Sequence, residues 1–351
     1  MQTIAIIGAG VTGLSCAVRL LRAGFKVSIF DRSGFPGQGA SAAAAGMLTP
    51  LGESAELPLR FVEAGLKAIG IWKDLLADEM PCALKRRGSL LVASAFDRPL
   101  LTAFQRGIEP LSDRWVMLDR AGVRTLEPCL SPVYEDGLYF PEDAHLDAIE
   151  ALKAMVRLTL QMGGQLICEE TEVSDLWDRY DRVIDCRGWT QDHDPDLHAV
   201  KGEALSLLPP DGFQLTRPVR FFSGAELFYA VPHAGDGLIV GATMRREALP
   251  VEDMPRLDGL KSLLDAAQTL DRRLNRAYLK EVLCGVRPSY PTKLPRISTG
   301  QDGAYIAANG MYRHGFLLGP VVAQAVMDLV NSDDTPCLSM FSDRNNDRGA
   351  L

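Results

Sequence analysis

The first thirty residues alternate apolar runs with glycine in a pattern that predicts a strand, a helix and a second strand. Residues 4–7 are apolar and end at a glycine, which is typical of a buried parallel strand. Apolar positions then recur at helical spacing, and Gly24 stands where helices commonly end on glycine. A second apolar run, residues 26–30, ends at Asp31. The chain is therefore expected to open with a strand–helix–strand unit.

Periodicity further along the chain predicts helices and strands in alternation. The helices are predicted over residues 59–80, 122–128, 147–162, 257–267 and 317–331. The strands are predicted over residues 88–93, 165–168, 182–186 and 304–308. Residues 205–283 alternate strand and turn signals, which favours a mixed sheet in this part of the chain.

The turn between the first strand and the first helix carries the pattern G-x-G-x-x-G. Gly8 permits a tight turn, Gly10 lets the backbone approach a pyrophosphate, and Gly13 lets the helix pack closely on the strand. The helix N-terminus favours phosphates, and Asp31 can accept hydrogen bonds from ribose hydroxyls. The motif predicts a dinucleotide site but does not choose between NAD and FAD. The predicted binding positions are Gly8, Ala9, Gly10, Val11, Thr12, Gly13, Asp31 and Arg32.

A run of small residues over positions 37–46 follows the nucleotide motif. A flexible linker is the plainest interpretation of such a run. However, small side chains let backbone lie flat against a large planar ligand, and a simple NAD enzyme would carry another strand–helix–strand unit here. The segment therefore favours FAD. The expected contact positions are Ala40, Ser41, Ala45, Gly46, Met47 and Leu48.

Composition narrows the class of protein. A chain of 351 residues exceeds what one hydrophobic core usually supports, so two domains are expected. The net charge of −8 argues against nucleic acid or an anionic membrane as the main partner. Seven scattered cysteines without a C-x-x-C pair suggest a reducing, cytoplasmic compartment and no metal site. The uncharged residues 3–18 are broken by glycines and too short to span a bilayer, so no signal peptide or membrane span is expected.

The nucleotide motif together with residues 41–48 resembles the D-amino-acid-oxidase-like family of FAD-dependent oxidoreductases, and within it the glycine oxidase (ThiO) branch. Further similar segments follow in the same order at residues 199–205, 229–232, 240–244, 285–288 and 310–320. The resemblance implies an α/β fold in which a Rossmann-type FAD-binding domain is interleaved with a mixed-sheet, α+β substrate domain. The implied FAD-binding parts are residues 1–85, 139–200 and 285–351, and the implied substrate parts are residues 86–138 and 201–284.

The same resemblance implies residues for the substrate. Arg287 would bind a substrate carboxylate with its planar guanidinium fork, helped by the Tyr229 hydroxyl. Arg313 would lie beside both substrate and flavin, and Met244 would line the pocket. Val173 would hold adenine through its backbone, and the helix that opens at residues 315–318 would face the flavin ring with its N-terminus. The further implied cofactor positions are Gly188, Met311, Tyr312, Arg313, His314, Gly315, Phe316 and Leu317.

The implied reaction is oxidation of glycine or a small N-substituted or D-amino acid. A hydride would pass from Cα to flavin N5, the imine would hydrolyse to an α-keto acid (glyoxylate from glycine) and an amine, and molecular oxygen would be reduced to hydrogen peroxide. An oxidase of N-carboxymethyl amines such as iminodiacetate and a dehydrogenase with another electron acceptor remain alternatives. So do a non-catalytic FAD-binding subunit and an NAD-dependent dehydrogenase. A homo-oligomer is also left open.

Three positions depart from the family pattern. Leu227 stands where glycine oxidases can carry histidine, which leaves sarcosine, D-alanine and D-proline open beside glycine. Arg187 replaces a usual alanine or serine, and either a side chain near the pyrophosphate or a solvated loop residue would explain it. Cys284 lies one position away from where a covalent flavin link would need it, so non-covalent FAD is expected.

Overall fold

The computed structural model describes residues 1–77, 79, 83–190, 194–246, 254–332 and 340–341, which form two large sheets, one two-stranded sheet and their surrounding helices. The helices are α1 (Val11–Arg22), α2 (Leu59–Leu76), α3 (Arg98–Gly107), α4 (Arg120–Leu126), α5 (Ala148–Gln161), α6 (Leu257–Leu270) and α7 (Gly315–Asn331). The strands are β1 (Thr3–Ile7), β2 (Lys26–Phe30), β3 (Met47–Leu48), β4 (Ser89–Ser94), β5 (Val116–Asp119), β6 (Tyr134–Phe140), β7 (Ala144–His145), β8 (Gln165–Ile167), β9 (Arg182–Asp185), β10 (His198–Leu208), β11 (Val219–Ser223), β12 (Glu226–His233), β13 (Gly237–Gly241), β14 (Arg245–Arg246), β15 (Tyr278–Ser289), β16 (Arg296–Gly300) and β17 (Tyr305–Asn309).

The first sheet has six strands in the order β16-β17-β9-β1-β2-β8. All neighbouring pairs are parallel except β16 with β17, which is antiparallel at the edge. Helix α1 packs against α5 and α7, and α2 packs against α7. The carboxyl ends of β9, β1, β2 and β8 therefore meet at one edge, where open α/β sheets bind their ligands. This arrangement confirms the strand–helix–strand prediction and the Rossmann-type fold.

The second sheet has nine strands and is mixed. Eight follow the order β14-β10-β13-β12-β11-β4-β6-β5, and β15 pairs with β10. The pairing of β11 with β4 is parallel, whereas the other pairs are antiparallel. Helix α6 covers one face, where it packs on β10, β11 and β13 around buried Leu205, Phe221 and Leu263. The mixed second sheet agrees with the fold that the family resemblance implied.

The two sheets are interleaved along the chain. The first sheet takes its strands from residues 3–30, 165–185 and 296–309, and the second from residues 89–140 and 198–289. Strand β10 begins two positions before the implied boundary at residue 200, and β15 continues past the one at residue 284. The strands thus cross these boundaries by a few residues, and the division into domains stays a prediction.

Most predicted helices form within a few residues of their expected limits. Helix α5 begins after Asp147, whose Oδ1 accepts from the Glu150 backbone N–H at 3.1 Å. Helix α7 begins at Gly315, two residues before its predicted start, and α2 ends at Leu76 although its pattern suggested residue 80. Residues 80–82 lie outside the described part of the chain. None of the helices in the described ranges combines the length and apolar character that a bilayer crossing requires.

Candidate active site

A cleft of about 1110 Å³ lies where the two sheets approach each other. Its walls come from the turn after β1, the small-residue segment, the end of β9, strands β10, β12 and β15, and the start of α7. The cleft therefore joins the carboxyl edge of the first sheet to one face of the second. Both the predicted nucleotide residues and the predicted substrate residues contribute to it.

The glycine-rich turn is packed so closely that side chains cannot enter it. A Cβ atom on Gly13 would lie 1.9 Å from the Gly8 carbonyl oxygen, which explains why the helix requires glycine there. Gly8 has φ of +102°, and a Cβ on it would lie 2.6 Å from the Cys186 carbonyl oxygen. The Val11 N–H donates to Ser41 Oγ at 3.0 Å, so the N-terminus of α1 faces the small-residue segment and the cleft.

The structure gives Asp31 a role in holding this turn. Its Oδ2 accepts from the Ala9 N–H at 2.7 Å, and its Oδ1 accepts from the N–H and hydroxyl of Ser33. Arg32 also lines the cleft and pairs with Glu170 at 3.1 Å in an exposed contact. A contact between Asp31 and a ribose hydroxyl stays a prediction, because the carboxylate already serves the turn.

The small-residue segment is packed structure and not a linker. Gly46 has φ of +73°, and a Cβ on it would lie 2.0 Å from the Leu146 carbonyl oxygen. Its carbonyl in turn accepts from the Leu146 N–H at 2.9 Å. Met47 and Leu48 then form β3, which pairs with β7. These contacts present the backbone of residues 40–46 to the cleft.

The residues of the cleft fit a large polar cofactor such as FAD. The hydroxyls of Thr171 and Thr190 are buried in its wall without a hydrogen-bond partner in the described structure. The N-termini of α1 and α7 both reach the cleft, and neither is capped by the side chain of its own N-cap residue, although Ser41 Oγ accepts from the Val11 N–H of α1. These donors are what a dinucleotide with a diphosphate and an anionic reduced ring requires.

Most of the predicted cofactor residues line the cleft. They are Gly8, Gly10, Val11, Thr12, Asp31, Arg32, Ala40, Ser41, Ala45, Gly46, Met47, Gly188, Met311, Tyr312, Arg313, Gly315 and Phe316. Six others do not reach its surface, namely Ala9, Gly13, Leu48, Val173, His314 and Leu317. Packing accounts for this, because Ala9, Leu48, His314 and Leu317 are buried within the fold.

Val173, the predicted backbone contact for adenine, has its side chain packed away from the cleft. It begins a short 3-10 helix and packs against a small core around Ile7, Phe30 and Leu176. Thr171 and Glu172, the residues just before it, line the cleft instead. The segment therefore reaches the nucleotide end of the cleft through Thr171 and Glu172, and the backbone contact of Val173 with adenine stays a prediction.

At the other end of the cleft, Arg287 on β15 presents its guanidinium. Burial lowers the pKa of this group, and the titratable groups that act on it electrostatically include Tyr229, Tyr312, Arg313 and Cys284. Its Nη1 donates to the Thr243 carbonyl at 3.2 Å. No carboxylate in the described part of the chain forms an ion pair with it. A desolvated cation in this setting favours an anionic ligand.

The hydroxyl of Tyr229 belongs to the same end of the cleft. Tyr229 lies on β12 opposite Gly241, and a Cβ on that glycine would be 2.6 Å from the tyrosine Oη. Burial raises the pKa of Tyr229, so the hydroxyl stays protonated and able to donate. Leu227, two residues before it, also lines the cleft and is 39% exposed.

Two further predicted residues cover this end. Tyr312 has φ of +48°, and its backbone N–H donates to the Pro288 carbonyl at 2.7 Å. Its hydroxyl contacts Met244 Sδ at 2.5 Å. The loop before α7 and the loop after β13 therefore meet beside Arg287, through Tyr312 and Met244.

Arg313 lines the cleft, and its charge has partners within the protein. Its Nη2 lies 2.5 Å from Glu53 Oε2 and 3.0 Å from Glu56 Oε2. Its predicted place beside substrate and flavin stays a prediction. Among the described residues, Arg287 is the guanidinium at this end without an ion-paired carboxylate.

Glu53 and Arg220 are cleft residues that the sequence reasoning missed. Arg220 Nη2 lies 2.5 Å from Glu53 Oε1 and 2.6 Å from Thr49 Oγ1. Burial alone would raise the pKa of Glu53, but Arg220 and Arg313 outweigh it and lower the pKa to about 2. The only sequence signal was an arginine inside the apolar strand β11, because a charge at a buried strand position requires a partner.

Asp143 fixes the segment that carries Glu53. Its carboxylate accepts from the Leu51 N–H at 3.0 Å, the Gly52 N–H at 3.2 Å and the Ser89 hydroxyl at 2.7 Å. Burial raises the pKa of Asp143 to about 7 in spite of these hydrogen bonds. Glu53, Arg220 and Arg313 thus form one connected polar wall, and Asp143 holds the backbone behind it. No group of histidine, cysteine and acidic residues in the described ranges has the arrangement of a metal site.

Comparisons with known proteins agree with this geometry. The family model described as FAD dependent oxidoreductase, DAO, matches residues 3–329. A Rhizobium etli protein whose name assigns it as thiamine biosynthesis oxidoreductase ThiO is 37% identical over 336 residues, covering 92% of this chain and 94% of its own. The glycine oxidase of Bacillus licheniformis is 27% identical over 355 residues, covering 93% and 92%.

Solved structures give the same result for the fold. The crystal structure of glycine oxidase from Geobacillus kaustophilus superposes with a TM-score of 0.83 at 24% identity, covering 97% of this chain and 98% of that one. The similarity extends over both sheets and therefore over the whole cleft. The match over residues 3–329, together with the nucleotide cleft, shows that the chain belongs to the D-amino-acid-oxidase (DAO) family of FAD-dependent oxidoreductases.

Proposed function

We propose that this enzyme oxidises glycine or a similarly small amino acid or N-substituted amine, with oxygen as electron acceptor and hydrogen peroxide as product. The observation that carries the proposal is the half-buried Arg287 guanidinium, which faces the cleft without an ion-pair partner among the described carboxylates. A substrate carboxylate would supply the missing charge and accept two parallel hydrogen bonds. The names of the relatives support glycine as the first substrate and thiamine biosynthesis as the setting.

Bound FAD supplies the acceptor for the hydride that leaves the substrate Cα. The protein's part is to hold the substrate still. Arg287 would bind the carboxylate, and the Tyr229 hydroxyl would donate to the same group. Met244 and Tyr312 would shield the bound substrate from water.

The residues around Arg287 also bear on how the substrate amine loses its proton. The cleft walls contain no histidine in the described part of the chain. Glu53 and Glu56 are the acids at this end, and both pair with Arg313. A carboxylate with a pKa of about 2 is a weak base. We therefore propose that the amine is deprotonated by solvent before hydride transfer.

The compartment forms part of the same proposal. The scattered cysteines support a reducing environment, which here would be the cytoplasm. Non-covalent attachment of FAD is likewise proposed, since Cys284 is displaced by one position from the residue that a covalent link would require.

The test is a peroxide assay on the purified yellow protein with glycine, sarcosine, D-alanine, D-proline and iminodiacetate. We expect peroxide with at least one of them, and an Arg287→Met variant should raise its KM about 100-fold, because a bidentate charged contact is lost. Arg120→Ala is the matched control, since Arg120 pairs with Glu135 at the surface.

Each alternative predicts a different result in the same assay. Flavin reduction by a substrate without peroxide in air would replace the oxidase with a dehydrogenase. Turnover that is unchanged by Arg287→Met would remove the proposed anchor. A flavoprotein that none of the five compounds reduces would overturn the substrate class.

A further inference from the structure

The nucleotide end of the cleft contains a buried ion pair that the reaction does not use. Arg187 follows β9, and its Nη2 lies 2.9 Å from Asp185 Oδ2 while its Nε lies 3.1 Å from Asp185 Oδ1. Its Nη1 donates to Glu172 Oε2 at 3.0 Å. Asp185 is 2% exposed, and the Arg187 side chain is 13% exposed. Arg187 is thus neither a solvated loop residue nor an unpaired cation facing a pyrophosphate.

The order of strands in the first sheet shows that this ion pair joins two segments that leave the sheet far apart. Arg187 follows β9 and Glu172 follows β8, which are separated in the sheet by β1 and β2. Neighbouring strands lie about 4.8 Å apart, so β9 and β8 are separated by roughly 14 Å. The Arg187–Glu172 contact therefore links segments from both sides of the strands whose ends carry the glycine-rich turn and Asp31.

The segment that Arg187 contacts, residues 171–173, carries a buried hydroxyl that could bind a ligand. Thr171 is 5% exposed, and its hydroxyl has no hydrogen-bond partner in the described structure. Thr171, Glu172, Arg187 and Gly188 all line the cleft. Val173, just beyond, is fixed in the small core under β1 and β2. The segment is therefore held at Val173 by packing and at Glu172 by Arg187.

We propose that Arg187 is a positioning residue for the adenosine half of FAD. Asp185 neutralises and orients the guanidinium, which in turn fixes Glu172 and so places Thr171 against the nucleotide. The adenosine half is indicated because Asp31, the predicted ribose acceptor, directly follows β2, the neighbour of β8. The inference depends on the family's use of FAD and not on the proposed substrate.

A positioning role and a direct electrostatic role for Arg187 predict opposite changes in FAD binding for the Glu172→Gln variant. If the arginine charge attracted the diphosphate, Glu172→Gln would remove a competing carboxylate and tighten FAD binding. If Arg187 acts by positioning, the same change weakens binding because the link to the segment is lost. Glu172 is 66% exposed at its side chain, so this substitution leaves the fold intact.

The experiment measures the FAD dissociation constant of the full-length protein by the recovery of free flavin fluorescence, for Arg187→Ala and Glu172→Gln. We expect increases of at least tenfold and about threefold, respectively. Arg120→Ala, which breaks a surface ion pair, should leave the constant unchanged. The inhibition constant of ADP, which carries the adenosine and the diphosphate but no flavin ring, should rise by the same factors.

Several results would overturn the proposal. They are an unchanged FAD dissociation constant with only a lowered melting temperature, tighter FAD binding in Glu172→Gln, and weaker FAD binding with an unchanged inhibition constant for ADP. If Arg187→Ala does not fold, Glu172→Gln decides alone. None of these measurements requires turnover, so failure here is separate from failure of the proposed substrate.

Discussion

Gly202 lies directly against the guanidinium of Arg287. A Cβ atom on Gly202 would be 2.2 Å from Nη1 and 2.3 Å from both Cζ and Nη2 of that arginine. The two residues are on adjacent antiparallel strands, β10 and β15, where Val200 is the direct partner of Arg287. The position of the proposed carboxylate anchor therefore depends on the absence of a side chain two residues further along β10.

Gly202→Ala should displace Arg287 and weaken substrate binding. Since the methyl group would occupy the space of the guanidinium, we expect KM to rise at least tenfold while FAD binding is unchanged. Steady-state kinetics and a flavin titration check the two parts. Gly70→Ala is the control, because a Cβ there would meet nothing within 4 Å. An unchanged KM in Gly202→Ala would show that Arg287 does not hold the substrate.

Tyr229→Phe should raise KM with little change in kcat. The variant keeps the ring over Gly241 and removes only the hydroxyl. A hydrogen bond to a charged group contributes about 1.5–3 kcal/mol, which corresponds to roughly tenfold or more in KM. Tyr139→Phe removes a hydroxyl that donates to the Arg87 carbonyl outside the cleft and should leave KM unaltered. A fall in kcat with constant KM would assign the hydroxyl to the chemical step.

Glu53→Gln should destabilise the fold by about 3–5 kcal/mol, because it leaves buried Arg220 and partly buried Arg313 without this carboxylate. Urea unfolding measures the loss. Glu56→Gln is the matched control: Glu56 also pairs with Arg313 but is 50% exposed, so at most about 1 kcal/mol is expected.

The same variant has a defined pH dependence. The pKa of Glu53 is about 2 in the folded protein and 4.5 in its ordinary state. The ionised carboxylate therefore makes its full contribution to the free energy of unfolding above pH 4.5. This contribution is lost as the pH falls towards 2. Wild type and Glu53→Gln should converge in stability over that range. A constant difference down to pH 2 would contradict the ion-pair explanation.

His314 should destabilise the protein in mild acid. Burial lowers the pKa of this imidazole from 6.5 to about 4, so its neutral form is favoured in the fold. The contribution of the neutral imidazole to the free energy of unfolding is fully present above pH 6.5. The free energy of unfolding falls by about 3 kcal/mol as the pH drops towards 4. His314→Gln should lose less stability than wild type between pH 7 and pH 4 in urea titrations. His198→Gln, at a half-buried position on β10, is the comparison, and equal losses in both variants would refute the assignment.

Local sequence patterns predicted the features that depend on interactions between residues close together in the chain. The helical period, the glycine after α1 and the Asp147 cap act within one or two turns of chain, and the structure has all three. The glycine-rich turn was predictable for the same reason, since its spacing is dictated by contacts between residues five apart.

The pairing of charges was not predictable in this way. Glu53 and Arg220 are 167 positions apart, and only the interleaved fold brings them together. The motif around Arg313 located that residue in the cleft but could not reveal that Glu53 and Glu56 occupy its guanidinium. Arg187 was noticed as an unusual residue, yet its partners depend on how the ends of β8 and β9 are arranged.

The order of strands in the first sheet also constrains how the protein can be made. Strand β1 lies beside β9, and β9 lies beside β17, which is formed by Tyr305–Asn309. A chain emerging from the ribosome must therefore keep β1 without β9 until residue 185 has been synthesised, and β9 without β17 until almost the whole sequence has been synthesised. Long-range pairing of this kind slows folding and prolongs the exposure of apolar strands. The interleaved fold that creates the cleft thus gives the nascent chain a reason to depend on chaperones.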